Sequence, residues 1–190
     1  MNWCKECKRF DPAAYHRNAE HEVKWIVEHL SGKERRILDV GCLDSGLLDM
    51  LGFIYRGIIG IDIRRLTGAS KYVKLMDIRK PEFAADVRFD AIIFLSTLEH
   101  IGLDCYGNKW LGPGDGQALA VSRALLSKAG HILVTMPFHV ESEGRYRGGV
   151  LWERRYNYTS AMWLAYNAGL TVVEYLEDRR NELVCMELTR

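Results

Sequence analysis

The chain has 190 residues, of which 48% are hydrophobic and 27% charged, and its 26 lysines and arginines nearly balance 25 aspartates and glutamates. This composition is typical of a globular chain and excludes disordered, collagen-like and fibrous proteins. A net charge of +1 gives no overall field to attract nucleic acid or an anionic membrane. We therefore predict a single domain over residues 1–190, in which 1–32 form an accessory segment and helix.

The sequence shows no sign of export or membrane insertion. No run of about 18 apolar residues indicates a membrane-spanning helix, and residues 1–7 lack the apolar region of a signal peptide. The five cysteines are odd in number and irregularly spaced, unlike a secreted disulfide framework. We therefore expect a cytoplasmic protein with reduced cysteines and no membrane partner.

The N-terminal segment contains four residues of types that bind zinc, namely Cys4, Cys7, His16 and His21. Eight residues separate Cys7 from His16, whereas a zinc finger has about 12 to 15 at this place. We predict no metal site, with zinc at these four residues as the alternative.

Helical and strand-like patterns alternate along the chain. Apolar residues three or four apart from Tyr15 to Leu30 predict a helix over about residues 13–30, closed by Gly32. Short, nearly continuous apolar runs come next, as expected of parallel strands covered on both faces. These runs are 37–40, 58–61, 72–75, 91–95 and 132–136.

The second half of the chain predicts two more helices and a hairpin. Asp115 is expected to cap a helix that Gly130 ends, and Thr159 to cap another. The runs 170–176 and 183–188 are joined by a turn too short for a crossover, so they should pair antiparallel. The predicted fold class is α/β: a Rossmann-like three-layer α/β/α sandwich with five parallel strands and a C-terminal antiparallel hairpin.

Segment 36–48 reads as a strand, a tight turn at Gly41 and the start of a helix. In an open parallel sheet, ligands bind past the carboxyl ends of the strands where the strand order reverses. Leu47 and Leu48 replace the lysine and hydroxyl of a phosphate-binding P-loop, and Leu43 replaces the middle glycine of a dinucleotide fingerprint. The pattern therefore favours a cofactor without phosphates.

Asp-Val-Gly-Cys at 39–42 resembles motif I of the class I S-adenosylmethionine-dependent methyltransferases, in particular their small, type 11-like members. Gly-Ile-Asp-Ile at 60–63 resembles the end of their second strand. Segments 76–78, 89–100 and 128–137 resemble the end of their third strand, their fourth strand with its active-site loop, and their fifth strand. The resemblance implies a seven-stranded methyltransferase sheet, in which an antiparallel seventh strand lies beside the fifth.

The resemblance also implies S-adenosyl-L-methionine as the cofactor. Asp62 would accept hydrogen bonds from the ribose hydroxyls, and Asp77 from the adenine amino group. The alternatives are a solvated carboxylate at Asp62 and a helix-capping role for Asp77. Leu43 departs from the family pattern, in which a glycine lets the backbone approach the methionine moiety. The residues at family cofactor-binding positions are Asp39, Gly41, Cys42, Ser45, Asp62, Ile63, Asp77, Ile78 and Ser96.

Glu99 and His100 come after the fourth strand, where an acceptor would meet the methyl group. Methyl transfer needs mainly positioning, with a base only when the acceptor must lose a proton. His100 is our predicted general base because histidine titrates near neutral pH, and Glu99 beside it is the second predicted catalytic residue. A structural histidine is the alternative, and His139 is a further candidate base.

The segment after the fourth strand narrows the class of acceptor. Residues 96–99 replace the Asn/Asp-Pro-Pro-aromatic sequence of enzymes that methylate amines of nucleic-acid bases, which disfavours nucleic acid. Arginines and aromatics between residues 138 and 158 could bind a carboxylate, a phosphate or a sugar-linked acceptor, or form a solvated loop. We predict methyl transfer to a small-molecule or medium-sized acceptor, with oxygen slightly favoured over nitrogen. The alternatives are a non-catalytic cofactor-binding or scaffold protein with this fold, and an RNA methyltransferase.

Overall fold

A mixed sheet flanked by helices forms the centre of the protein. The computed structural model describes residues 12–43, 46–64, 72–105 and 112–190, with side chains from residue 20 onward. The first half contains α1 (Pro12–His29), β1 (Ile37–Val40), α2 (Leu47–Ile54), β2 (Ile58–Asp62), β3 (Val73–Leu75), β4 (Phe89–Leu95) and a 3-10 helix (Leu98–His100). The second half contains α3 (Gly114–Leu125), β5 (Leu126–Pro137), β6 (Glu143–Arg147), β7 (Val150–Arg155), α4 (Tyr158–Asn167), β8 (Thr171–Asp178) and β9 (Leu183–Thr189).

The seven-stranded sheet has the order β3-β2-β1-β4-β5-β9-β8. Strands β1 to β5 pair in parallel, and β9 is antiparallel to both of its neighbours, β5 and β8. The predicted fold is therefore confirmed, including the antiparallel strand beside the fifth. The strand order reverses between β1 and β4, so the expected place for a ligand is the carboxyl edge at these two strands.

Helices cover both faces of this sheet. Ile26 of α1 and Leu51 of α2 pack on one face, and Leu119 of α3 and Ala165 of α4 pack on the other. Strand β1 is buried at all four positions because it lies in the middle of the sheet under both layers. This double covering explains why the central strands read as continuous apolar runs.

Two expectations about α3 are wrong. Pro113, not Asp115, occupies the N-cap position, and Asp115 lies buried in the first turn, where its Oδ2 accepts a hydrogen bond of 2.9 Å from the Tyr156 hydroxyl. Gly130 does not end the helix, because β5 begins directly after α3 and includes it. A Cβ at position 130 would lie 2.8 Å from the carbonyl oxygen of Phe89, so the glycine is required by close strand contact.

Helix α4 is capped two residues earlier than Thr159. The Asn157 side chain accepts a 3.0 Å hydrogen bond from the backbone N–H of Ser160, whose hydroxyl accepts in return from the Asn157 N–H. This is a reciprocal capping box, and asparagine is among the residues favoured at such a position.

The segment between the fifth strand and α4 contains a hairpin that the sequence analysis did not predict. Strands β6 and β7 pair antiparallel and are joined by Gly148 and Gly149, whose φ values are +58° and +83°. Two consecutive residues with positive φ are typical of the tight turn that matches hairpin twist. The hairpin packs beside the 3-10 helix, where Trp152 of β7 meets His100.

Candidate functional site

The turn after β1 brings three strand ends together. Gly41 has a φ of +74°, and its N–H donates a 2.8 Å hydrogen bond to the carbonyl oxygen of Ile61 in β2. A Cβ at position 41 would lie 2.5 Å from Oγ1 of Thr97, which lies just after β4. Only glycine satisfies both the backbone conformation and this close approach. The carboxyl ends of β1, β2 and β4 consequently meet at one place.

Asp39 of β1 lies just below this turn and is 1% exposed. Neither of its carboxylate oxygens has a hydrogen-bond partner among the described residues. Burial, and after it the charge of Asp62, raises the pKa of Asp39 to about 7. A buried carboxyl group without a partner is costly, so a ligand with a hydrogen-bond donor would find a matching acceptor here.

Asp62, the last residue of β2, is bound by the arginine two positions later. Its Oδ1 accepts hydrogen bonds from the Arg64 backbone N–H at 2.9 Å and from Nε at 3.0 Å, and its Oδ2 accepts from Nη2 at 2.9 Å. The Asp62 side chain is 2% exposed and that of Arg64 is 19% exposed. The carboxylate expected to bind ribose therefore makes a two-pronged contact with a guanidinium.

Asp77 repeats this arrangement after β3. It accepts hydrogen bonds from the Arg79 backbone N–H at 2.9 Å, from Nε at 3.1 Å and from Nη2 at 2.7 Å. Burial acts to raise the pKa of Asp77, but the hydrogen bonds and charge of Arg79 outweigh it and lower that pKa. The neighbouring Ile78 is buried in the core, whereas Ile63 after β2 is exposed.

Cys42 and Ser96 lie at the same edge, where Cys42 is buried and Ser96 is half-buried. The Cys42 side chain is buried against Gly60 and Leu48, so tightly that a Cβ at position 60 would lie 2.5 Å from the sulfur. Any contact of Cys42 with a cofactor would therefore use its backbone. Ser96 has a φ of +43°, and its N–H donates a 3.0 Å hydrogen bond to Oγ1 of Thr135. Ser45 lies outside the described residues.

Glu22 of α1 is a site residue that the sequence analysis missed. Its carboxylate accepts a hydrogen bond from the Ser96 hydroxyl, and it is 5% exposed. Burial, opposed by hydrogen bonds from Ser96 and Thr135, raises the pKa of Glu22. A signal was present in the sequence, because Glu22 lies four residues before Ile26 on the apolar face of the helix.

Glu99 and His100 lie together in the 3-10 helix after β4. Oε1 of Glu99 is 3.8 Å from Nε2 of His100, and its Oε2 has no hydrogen-bond partner among the described residues. Glu99 is 3% exposed, and burial raises its pKa well above the ordinary value. Burial at this position therefore favours the neutral form of Glu99.

The His100 ring is fixed by the hairpin. Its Nδ1 lies 2.6 Å from the carbonyl oxygen of Trp152, and because a carbonyl only accepts, Nδ1 carries the proton. Burial, only partly opposed by this hydrogen bond, lowers the pKa of His100 to about 4. The imidazole is therefore neutral at pH 7, with Nε2 as its proton-accepting atom.

Two arginines of the hairpin hold it to the rest of the protein. Arg154 donates a 2.9 Å hydrogen bond to the carbonyl oxygen of Ile101, and Arg155 forms an ion pair with Glu182. The other two hairpin arginines are exposed: Arg147 lies 5.0 Å from the ring centre of Trp152, and Arg145 is 66% exposed. Arg145 also pairs with Glu153 at 3.4 Å, but its exposure leaves it, like Arg147, open to an acceptor.

The remaining sequence candidates do not join this cluster. His139 lies at the base of the hairpin, where its Nδ1 is 2.8 Å from the carbonyl oxygen of Glu141. His21 is exposed on α1, and Cys4, Cys7 and the His16 side chain lie outside the described residues. Within the described ranges, no helix is long and apolar enough to cross a membrane.

Comparison with known proteins identifies the fold. No protein-family model and no curated protein sequence matches the chain. The 1,6-didemethyltoxoflavin-N1-methyltransferase of Burkholderia thailandensis, solved with 1,6-didemethyltoxoflavin and S-adenosylhomocysteine, aligns with a TM-score of 0.69 at 17% identity, over 93% of this chain and 80% of that one. DesVI of Streptomyces venezuelae aligns with a TM-score of 0.67 at 14% identity over 100% of both chains. The glycopeptide N-methyltransferase MtfA aligns with a TM-score of 0.64 at 12% identity over 90% of each chain.

Identities this low carry information on architecture alone. The sheet order, the position of β9 and these alignments agree that the chain has the fold of the class I S-adenosylmethionine-dependent methyltransferases. The same fold hosts different chemistries, so activity has to be argued from the site.

Proposed function

We propose that the protein is an S-adenosyl-L-methionine-dependent methyltransferase that acts on a small or medium-sized acceptor. The observation that carries this proposal is a pair of buried carboxyl groups, Asp39 and Asp62, at the ends of two adjacent strands beside the point where the strand order reverses. Asp39 lacks a partner among the described residues, and Asp62 places a carboxylate, paired with Arg64, at the carboxyl edge of β2. Both features suit a ligand that brings hydroxyl and amino donors.

The site residues fit the cofactor at three points. Asp62 would hold the two ribose hydroxyls, Asp77 the adenine amino group, and Asp39 the amino group of the methionine moiety. When bound, S-adenosylmethionine supplies a methyl group that its sulfonium charge has already activated. The chain then has only to orient the acceptor, exclude water and, where needed, take a proton.

His100 is the residue that would take that proton. Its Nδ1–H is held by the Trp152 carbonyl, which fixes the ring and leaves Nε2 as the accepting atom. A hydroxyl acceptor must lose its proton on methylation and the neutral Nε2 can accept it, so we favour oxygen over nitrogen, although a pKa of about 4 makes His100 a weaker base than an ordinary histidine. Exposed Arg145 and Arg147 suit an acceptor with a carboxylate, a phosphate or a sugar-linked phosphate.

Calorimetry with S-adenosylmethionine and S-adenosylhomocysteine tests the cofactor assignment. We expect the wild-type protein to bind both, and Asp62→Ala to weaken both at least about tenfold, since a charge-assisted hydrogen-bond pair is lost. Asp86→Ala is the matched control, because Asp86 is an exposed aspartate before β4, and its binding should equal that of the wild type. No heat of binding with folded wild-type protein would overturn the proposal.

A non-catalytic cofactor-binding protein with this fold is the second candidate. Two observations favour it: Leu43 stands where the family has a glycine, and Arg64 already contacts both oxygens of Asp62. The two functions differ in turnover. Conversion of bound S-adenosylmethionine to S-adenosylhomocysteine in the presence of a panel of anionic and sugar-linked hydroxyl compounds supports transfer, whereas binding without conversion supports the second candidate.

A further inference from the structure

The sequence Asp-Ile-Arg occurs twice, at 62–64 after β2 and at 77–79 after β3. In both copies the arginine binds its aspartate through the backbone N–H, Nε and Nη2. The two aspartates are the ones assigned above to ribose and adenine. An arginine thus competes with the cofactor for each carboxylate of the proposed site. The two aspartates differ in whether they can accept from the cofactor while the arginine stays bound.

The copy at Asp77 leaves room for a second partner. Its side chain is 32% exposed, so a further donor can approach the carboxylate while Arg79 stays bound. A carboxylate has about four acceptor positions, and a single adenine amino group needs only one of them.

The copy at Asp62 leaves much less room. The Asp62 side chain is 2% exposed; the Arg64 fork takes one position on each oxygen, and the Arg64 backbone N–H takes a second on Oδ1. A ribose diol also needs one position on each oxygen, because its two adjacent hydroxyls donate side by side to the carboxylate. Fork and diol therefore require the same approach to the same atoms.

From this geometry we propose that Arg64 is a latch on the cofactor site, whose fork must leave Asp62 before the ribose of S-adenosylmethionine can bind. The inference rests on the proposed function and adds a step to it. Cofactor affinity is then the intrinsic affinity reduced by the small fraction of molecules with the latch open. Removing the fork should raise the affinity of any ligand that uses a ribose diol.

The test is calorimetry of S-adenosylhomocysteine and of adenosine with wild type, Arg64→Ala and Arg64→Lys. We expect Arg64→Ala to bind both ligands about tenfold more tightly than the wild type. Arg64→Lys keeps the charge but loses the fork, so its affinity should lie between the other two. If Arg64→Ala does not fold, as a melting curve would show, Arg64→Gln takes its place with the same expectation.

Two controls separate the latch from a general effect of charge. Arg179→Ala removes one positive charge from an exposed pair with Glu177, whose arginine side chain is 75% exposed, and should leave both affinities unchanged. The ligand 2′,3′-dideoxyadenosine lacks both hydroxyls, and the Arg64 variants should gain nothing with it. An equal gain with this ligand would assign the effect to charge and overturn the latch.

The other results are also decisive. If wild type and Arg64→Ala bind S-adenosylhomocysteine equally, or if the variant binds more weakly, the latch is wrong while the proposed cofactor stands. If no variant and no wild-type sample binds any of the ribose-containing ligands, the proposed function fails and the latch fails with it.

Discussion

Asp39 combines complete burial with the absence of a hydrogen-bond partner among the described residues. Its ordinary pKa of 3.8 rises to about 7 in the folded protein because burial disfavours the charge and Asp62 adds to that effect. The folded protein therefore holds this proton more tightly than the unfolded chain does. Below about pH 4 the group is protonated in both states and adds no pH dependence; its contribution to stability falls as the pH rises toward 7 and then stays constant.

Asp39→Asn should remove this pH dependence. The variant should match the wild type near pH 4 and exceed it at pH 8 by up to about 4 kcal/mol in the free energy of unfolding, since each unit of pKa shift corresponds to about 1.4 kcal/mol. Urea denaturation of both proteins at several pH values measures the difference. Curves that stay parallel from pH 4 to pH 8 would show that Asp39 carries no raised pKa.

The positions of single aspartates could be predicted, but their partners could not. Asp62 and Asp77 lie at the ends of their strands because short apolar runs fix where each strand stops. The repeated Asp-Ile-Arg sequence was visible, yet whether an arginine folds back or extends into solvent depends on the surrounding burial. In the same way, the orientation of the His100 ring depends on a carbonyl 52 positions later, which no local pattern indicates.

Helix α1 is joined to the sheet edge by a polar contact in addition to its apolar face. Glu22 binds the Ser96 hydroxyl, and Trp25, three residues on, is buried in the same interface and stacks on His29 with a ring separation of 4.1 Å. Helix α1 therefore contacts the start of the loop after β4, the loop that carries Glu99 and His100.

Glu22→Ala should lower the free energy of unfolding by about 1–3 kcal/mol, because it leaves buried polar groups at Ser96 and Thr135 without their partner. Glu28→Ala on the same helix is the control. Glu28 pairs with Lys24 in solvent, with its side chain 58% exposed, and its loss should cost less than about 0.5 kcal/mol. Denaturation followed by tryptophan fluorescence measures both, and equal losses would contradict the proposed anchoring.

The hairpin of β6 and β7 was missed because neither strand has a fully buried face: β6 is mostly exposed and β7 is half-buried. Glu143–Arg147 has no alternation of apolar and polar residues, since the strand packs against little besides its partner. The one local signal was the Gly148–Gly149 pair, which is typical of a two-residue hairpin turn. Strands without a buried face lack the pattern on which sequence reasoning depends.

The molecule as a whole depends on β9, which occupies an interior place in the sheet. It is hydrogen-bonded to β5 on one side and β8 on the other, and Val184, Met186 and Leu188 are fully buried. The interior position of β9 could be predicted only from the family resemblance. The apolar pattern predicts that β8 and β9 pair with each other, but not which of the two lies next to β5.

Removal of residues 182–190 should abolish cooperative unfolding, because β5 loses its antiparallel neighbour and β8 loses the strand with which it pairs. Thermal unfolding followed by far-ultraviolet circular dichroism measures this. Removal of Arg190 alone is the control: its guanidinium donates a 2.9 Å hydrogen bond to the Arg123 carbonyl, and its loss should leave a cooperative transition. A sharp transition in the shorter protein would mean that the protein folds cooperatively without β9.

The Cys42 thiol is buried directly after the turn at Gly41, so its chemical accessibility depends on whether that turn is folded. The sulfur packs beside Gly60 and Leu48, and burial raises the pKa of the thiol. In the folded protein the thiol is therefore both inaccessible to reagents and protonated. Alkylating reagents attack the thiolate, and they can reach it only when the turn opens. The rate at which Cys42 is modified, measured separately from the other four cysteines by peptide mapping, should therefore report how often the turn beside the proposed nucleoside pocket opens.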